Sequence, residues 1–152
     1  MMVTVNVTRD AITPRLGRML ARVSDARPAL EAAGLAIRSQ ILRAFDDPGI
    51  RPAPWQALAA STLAAKERDP KIKFKTALLK AEGTMWQSIA IHKLTKSSVT
   101  IGTDRDYARF HQMGTRYMPA RPFFPIDRSG RLTDLAKRRV QEAIKIKLRV
   151  LE

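Results

Sequence analysis

Between residues 28 and 45 apolar positions recur every three or four residues. Leu30, Gly34, Ile37, Ile41 and Phe45 share one stripe, with Arg38 and Arg43 off it. That spacing predicts an amphipathic helix with one face toward a core. Asp46, Asp47, Pro48 and Gly49 end it, because proline has no amide proton for another turn and biases its predecessor toward extended backbone. Residues 88–92 and 98–101 follow a different rule. There Ile89, Ile91, Val99 and Ile101 alternate with small or polar residues, as in a half-buried antiparallel pair joined through 93–97.

Weaker patterns fill the rest. Residues 1–8 read as an extended arm with Val3, Val5 and Val7 alternating; Thr8 or Asp10 is a candidate cap for a helix with Pro14 in its first turn. Pro48, Pro52 and Pro54 make 48–54 a stiff connector. Trp55, Leu58 and Leu63 among alanines suggest a short helix, weakly amphipathic because Thr62 interrupts the stripe. Lys66, Arg68, Lys71, Lys73 and Lys75 make 66–77 an exposed basic loop. Residues 78–83 read as a helical turn stopped by Gly83, and 107–113 as a short helix stopped by Gly114. Pro119, Pro122 and Pro125 then impose an irregular, extended path. In the tail, Leu132, Leu135, Val140, Ala143, Ile144, Leu148 and Leu151 form a helical stripe that Thr133 or Ser129 can cap, yet residues 144–150 alternate strictly. A helix to about residue 142 is expected, with the remainder open between helix and strand.

The chain has 152 residues, 45% of them apolar, which suits one folded domain over residues 1–152. No apolar run reaches the roughly 18 residues that would span a bilayer, and no secretory signal is visible at the amino terminus. With no cysteine, disulfides, thiolate nucleophiles and cysteine metal sites are excluded, and a reducing cytoplasm is the simplest setting. A formal charge of +14 calls for an acidic counterpart: nucleic acid, an anionic surface or an acidic protein.

Catalysis lacks parts. His92 and His111 are far apart, with no clustered carboxylates at metal-ligand spacing, so no cofactor or metal is implied. Asp104 and Asp106 are a weak cation pair and read better as caps for the helix at Tyr107. Ser88 and His92, if on one strand, stand about 13 Å apart. Neither the basic loop, with Phe74 its one aromatic, nor the tail, with none, supplies stacking platforms or a recognition helix. The most informative stretch is 107–124. It ends in Phe123 and Phe124, each worth about 1.5–3 kcal/mol if buried, framed by rigid prolines and by Arg121, whose planar fork suits carboxylates. The residues leave two readings open there, closure of the core or an intersubunit contact.

At these positions the chain resembles the phage virion morphogenesis family, which includes the tail-completion proteins of Mu-like and related phages. The landmarks are Trp55, Leu58 and Thr62; Leu79, Gly83, Met85, Ser88 and Ile89; Val99, Ile101, Gly102 and Thr103; Tyr107, Ala108, His111, Gln112 and Gly114; and Pro119, Ala120, Arg121, Pro122 and Phe123, in that order across about residues 40–127. Met113 and Glu82 depart from it, standing where the family usually carries an aromatic and a threonine. The resemblance implies a small α+β protein: an antiparallel sheet packed with a long helix from the N-terminal half and a C-terminal helix, with extended terminal arms. It further implies a non-enzymatic structural role in virion morphogenesis at the head–tail junction, as a homo-oligomeric neck ring or tail-completion protein. The implied partners are itself, portal or adaptor proteins and tail-terminator or tail-tube proteins, with non-specific contact to DNA in the channel and no membrane. The alternative is a non-enzymatic basic nucleic-acid-binding protein. Tyr107, His111, Gln112, Gly114, Arg121, Pro122, Phe123 and Phe124 are the expected interface, with the long helix around Ile37 as the complementary surface. The positive charge is expected to face acidic protein surfaces, since strong phosphate binding would hinder DNA sliding.

Overall fold

A computed structural model describes residues 3–8 and 13–151. It is an α+β fold built on a three-stranded antiparallel sheet, β1 (Val3–Thr8), β2 (Ala90–Leu94) and β3 (Ser98–Thr103), in the order β1-β3-β2. The alternation read from the sequence sets the register. Val5 pairs with Ile101 and Val7 with Val99, and all four side chains are buried on one face. The amino arm is thus an edge strand of the sheet, and a bulge between Ile91 and Lys93 irregularises the other edge.

Against the sheet lies α2 (Arg27–Ala44), the helix expected from its stripe. Leu30, Ile37 and Ile41 are fully buried, and Gly34 brings the helix onto the strands: a Cβ there would stand 2.7 Å from Val99 Cγ2. The other side of α2 packs on α6 (Asp134–Leu151), which also carries α1 (Pro14–Arg22) through the layer that buries Leu16 and Leu20. Ile37 itself is enclosed between sheet and helix, so of the surface expected around it only the outer side of α2, with Glu31, Leu35 and Ser39, stays exposed. Arg51 closes its C-terminal end, donating from Nε to the Ala44 carbonyl at 2.7 Å and from Nη2 to that of Phe45 at 3.1 Å, which satisfies carbonyls the last turn leaves open.

Several local expectations are corrected. The tail is helical throughout, because Ala136, Val140, Ile144 and Leu148 form an unbroken i, i+4 buried line; Ile146 and Val150, which gave residues 144–150 their strand-like alternation, face outward. No extended carboxy arm exists up to residue 151, and Thr133 caps the helix, its Oγ1 accepting from Ala136 N. The helix expected from Trp55 starts later, as α3 (Ala60–Arg68), which takes Lys66 and Arg68 out of the basic loop into its last turn and buries no residue fully. Residues 78–83 are not helical: Gly83, at φ +86°, opens α4 (Thr84–Gln87) instead of closing a turn. Thr13, not Thr8, precedes α1, while Asp10 lies outside the described residues.

Candidate functional site

The stretch singled out from the sequence folds back on itself. Helix α5 (Ala108–Met113) buries Ala108 and Gln112, one turn apart, and turns Phe110 and Met113 outward. Tyr107 stands at its N-cap and its own side chain makes no capping hydrogen bond. Gly114 (φ +74°) ends the helix where the chain reverses: a Cβ there would lie 2.7 Å from Ala120 N. A tight turn over 115–118, with Thr115 N donating to Met118 O at 2.8 Å, brings the chain back along α5, and Arg121 N donates to His111 O at 2.7 Å.

Gln112 then clamps the returning strand. Its Oε1 accepts from Phe123 N and Phe124 N, both at 3.0 Å, and its Nε2 donates to Phe124 O at 3.4 Å. The two phenylalanines enter the core, 1% and 0% exposed, where Phe123 meets Phe45 at 5.3 Å between ring centroids and Phe45 meets Trp55 edge-on at 6.1 Å. The connector is tied to the same strand: Trp55 Nε1 donates to Pro122 O at 2.8 Å, and Arg121 donates to the carbonyls of Gln56 and Ala57 at 2.9 and 3.2 Å. Phe123 and Phe124 are therefore core residues and not contact residues, and the Arg121 fork is spent on backbone carbonyls.

What the stretch does leave open is a groove of about 930 Å³ between residues 56–66, 79–85 and 107–121. Tyr107, His111 and Arg121 line it, as do Lys66 and Leu79, read from the sequence as loop residue and family landmark, and Tyr117 and Met118, which sequence reasoning passed over. An aromatic at the tip of a turn bounded by Gly114 and Pro119 was the available signal: Tyr117 is 84% exposed. Tyr107 shares a hydrogen bond with Thr84 Oγ1 at 3.1 Å. His111 is half-buried, and its Nδ1 has no hydrogen-bond partner among the described residues. Burial first, and the Arg121 guanidinium second, hold its pKa below the ordinary histidine value. Lys66 Nζ donates to Ala77 O at 2.7 Å, and burial lowers its pKa. Lys80 is paired with Asp46 at 2.8 Å and lies over the Trp86 ring. Lys66 and Arg121 form no ion pair among the described residues, so the groove combines an aromatic rim with these two cations, Lys80 and one lining carboxylate, Glu82.

The other chemistry weighed from the sequence does not assemble. Ser88 lies outside β2, and its hydroxyl is engaged with Thr103 Oγ1 and the Met85 carbonyl. Among the described residues no three His, Asp or Glu side chains form a metal-binding group, and no helix is long and apolar enough to cross a membrane.

A profile of the phage virion morphogenesis family matches residues 7–147. No curated protein and no solved structure gave a match.

Proposed function

The chain belongs to the phage virion morphogenesis family, and from that premise we propose that it acts at the head–tail junction, as a tail-completion or neck-ring protein around the DNA channel, docking a neighbouring subunit in the groove beside α5. One observation carries this reading. Of the nine large apolar side chains left exposed among the described residues, Tyr107 and Tyr117 line the groove and Leu63, Phe110 and Met113 belong to the segments that frame it, while Leu35, Phe74, Ile146 and Val150 lie elsewhere. Apolar area gathered on one rim marks a surface that gains by being covered, whereas isolated exposed apolar residues do not. Rigid backing supports it: Gln112, Gly114, the Trp55–Pro122 bond and the bonds from Arg121 to Gln56 and Ala57 hold the rim in place, so little ordering is left to pay for on binding.

The neighbour in this reading is a second copy in a ring, or a portal, adaptor, tail-terminator or tail-tube protein, and the protein resides in the virion. The Met113→Asp/Tyr117→Asp variant tests it, because both side chains are exposed, at 77% and 84%, and their loss leaves the core untouched. The purified variant should keep the wild-type circular dichroism and melting profile. It should fail to restore infectivity when added to heads and tails from a phage lacking the protein. Full complementation by a folded variant would remove the groove from the assembly reaction.

A further inference from the structure

A second surface, apart from that groove, lies on α1. Arg15, Arg18 and Arg22 follow an i, i+3, i+7 spacing, which places them within about 60° of arc and along about 10 Å of one helix face. All three are exposed, α1 carries no acidic residue, and none of the three has an ion pair among the described residues. They border a groove of about 860 Å³ whose lining also holds the partly buried Met19 and Val23 and the buried Leu148. The carboxylate in the groove's own lining, Asp25, is already taken by Arg27 through two donors at 2.7 and 2.9 Å.

We propose that this arginine-bordered groove docks an acidic amphipathic helix of a different protein, its carboxylates meeting Arg15, Arg18 and Arg22 and its apolar stripe lying over Met19 and Val23. The occupant follows from complementarity on both counts. Guanidinium forks pair with carboxylates or phosphates in a fixed planar geometry. A duplex backbone offers phosphates but no aliphatic side chain to cover the apolar groove, whereas a helix laid in a groove offers apolar anchors at i, i+3, i+4 and i+7 with charges beside them. A second copy does not fit, because the chain holds 28 basic against 14 acidic residues, and no described helix carries more than the two carboxylates of α6, Asp134 and Glu142, which stand among six cations.

The test uses the full chain and fluorescence anisotropy with three probes: a synthetic helical peptide with glutamates at i, i+3 and i+7 beside a leucine stripe, the same peptide with serine for leucine, and a 20-base-pair duplex. The leucine-bearing peptide should bind tightest. The Arg15→Glu/Arg18→Glu/Arg22→Glu variant should weaken it about tenfold or more, as the loss of three charge pairs implies, and the triple Arg→Gln variant by less. A net-charge control, Lys71→Glu/Lys73→Glu/Lys93→Glu, changes exposed residues elsewhere and should stay within about twofold. Circular dichroism checks that each variant is folded. The proposal is overturned if the duplex or the serine peptide binds as tightly as the leucine peptide, which would make the site a general polyanion patch. It is equally overturned if folded charge-reversed protein binds the leucine peptide as well as wild type.

Discussion

Two buried glutamines make opposite predictions for one substitution. Gln112 accepts two backbone N–H groups, from Phe123 and Phe124, at 3.0 Å each inside the core. Gln112→Met keeps the volume nearly constant, so the packing change is small, but it strands both donors. A buried donor left without an acceptor costs about 1–3 kcal/mol, which gives a loss of about 2–6 kcal/mol against a total stability on the order of 5–15 kcal/mol. Gln40 is 1% exposed on α2, and neither its Oε1 nor its Nε2 has a partner among the described residues. Gln40→Met therefore removes a desolvated amide that gains nothing in return, and stability should hold or rise by about 1 kcal/mol. Urea unfolding followed by the fluorescence of Trp55 and Trp86 reads both, with the m-value checking that the denatured state is unchanged. Equal losses from the two variants, or a Gln112→Met midpoint within error of wild type, would show that the clamp does not hold the Phe123–Phe124 strand.

Gly114→Ala forces a side chain onto a positive-φ backbone and against Ala120 N, and should lower stability by about 2 kcal/mol or more, visible as a drop in melting temperature of several degrees. An unchanged melting temperature would mean that the turn relaxes freely. His111 predicts a pH effect with a definite sign. Its folded pKa lies below the ordinary 6.5, so the unfolded chain takes up the proton first as pH falls. Its stabilising contribution is full above about pH 6.5, falls as pH drops through that value, and levels off below the depressed folded pKa. Urea midpoints at pH 7.5 and 5.5 should differ less in His111→Asn than in wild type, and an identical pH response would assign the effect to other groups.

How much of this was legible depended on whether one helix or sheet face decided the pattern. The α2 stripe and the β3 alternation were readable because their buried positions keep an unbroken period, whereas β2 runs over Ala90–Leu94, two residues later than its pattern suggested, and carries a bulge that breaks the alternation. The tail was not readable. Ile144 and Leu148 are compatible with either period, and exposed Ile146 and Val150 tipped the local pattern toward a strand that packing on α2 overrides. Gly83 shows another limit: a positive-φ glycine suits the residue before a helix as well as the one after it, and its neighbours do not say which. The start of α3 was illegible because no residue of it is fully buried. At the site the right stretch was found but its parts were exchanged. Phe123 and Phe124 drew attention for apolarity alone, which core and interface share; their fate rests on Gln112 and on Phe45, far upstream. The acceptor role of Gln112 has no signature in local sequence.

With Ile37 in the core, the complementary surface expected around it for a ring of copies loses its centre, since heterologous self-association needs two different surfaces on each subunit. The two grooves lie at opposite ends of this one helix. Pro28, in its first turn, lines the arginine-bordered groove. At the other end Phe45 packs on Trp55 and Phe123, the residues that back the aromatic rim. Eighteen residues of helix span about 27 Å, so α2 acts as a rigid spacer holding two unlike faces at a set distance. One groove presents aromatic and apolar side chains, the other arginines, and neither is complementary to itself. Substitutions at Tyr117 or at Arg18 should thus each disturb one contact and leave the other, their effects adding because the sites share no partner. A disruption at Ile37, buried midway between them, should impair both together by loosening the spacer.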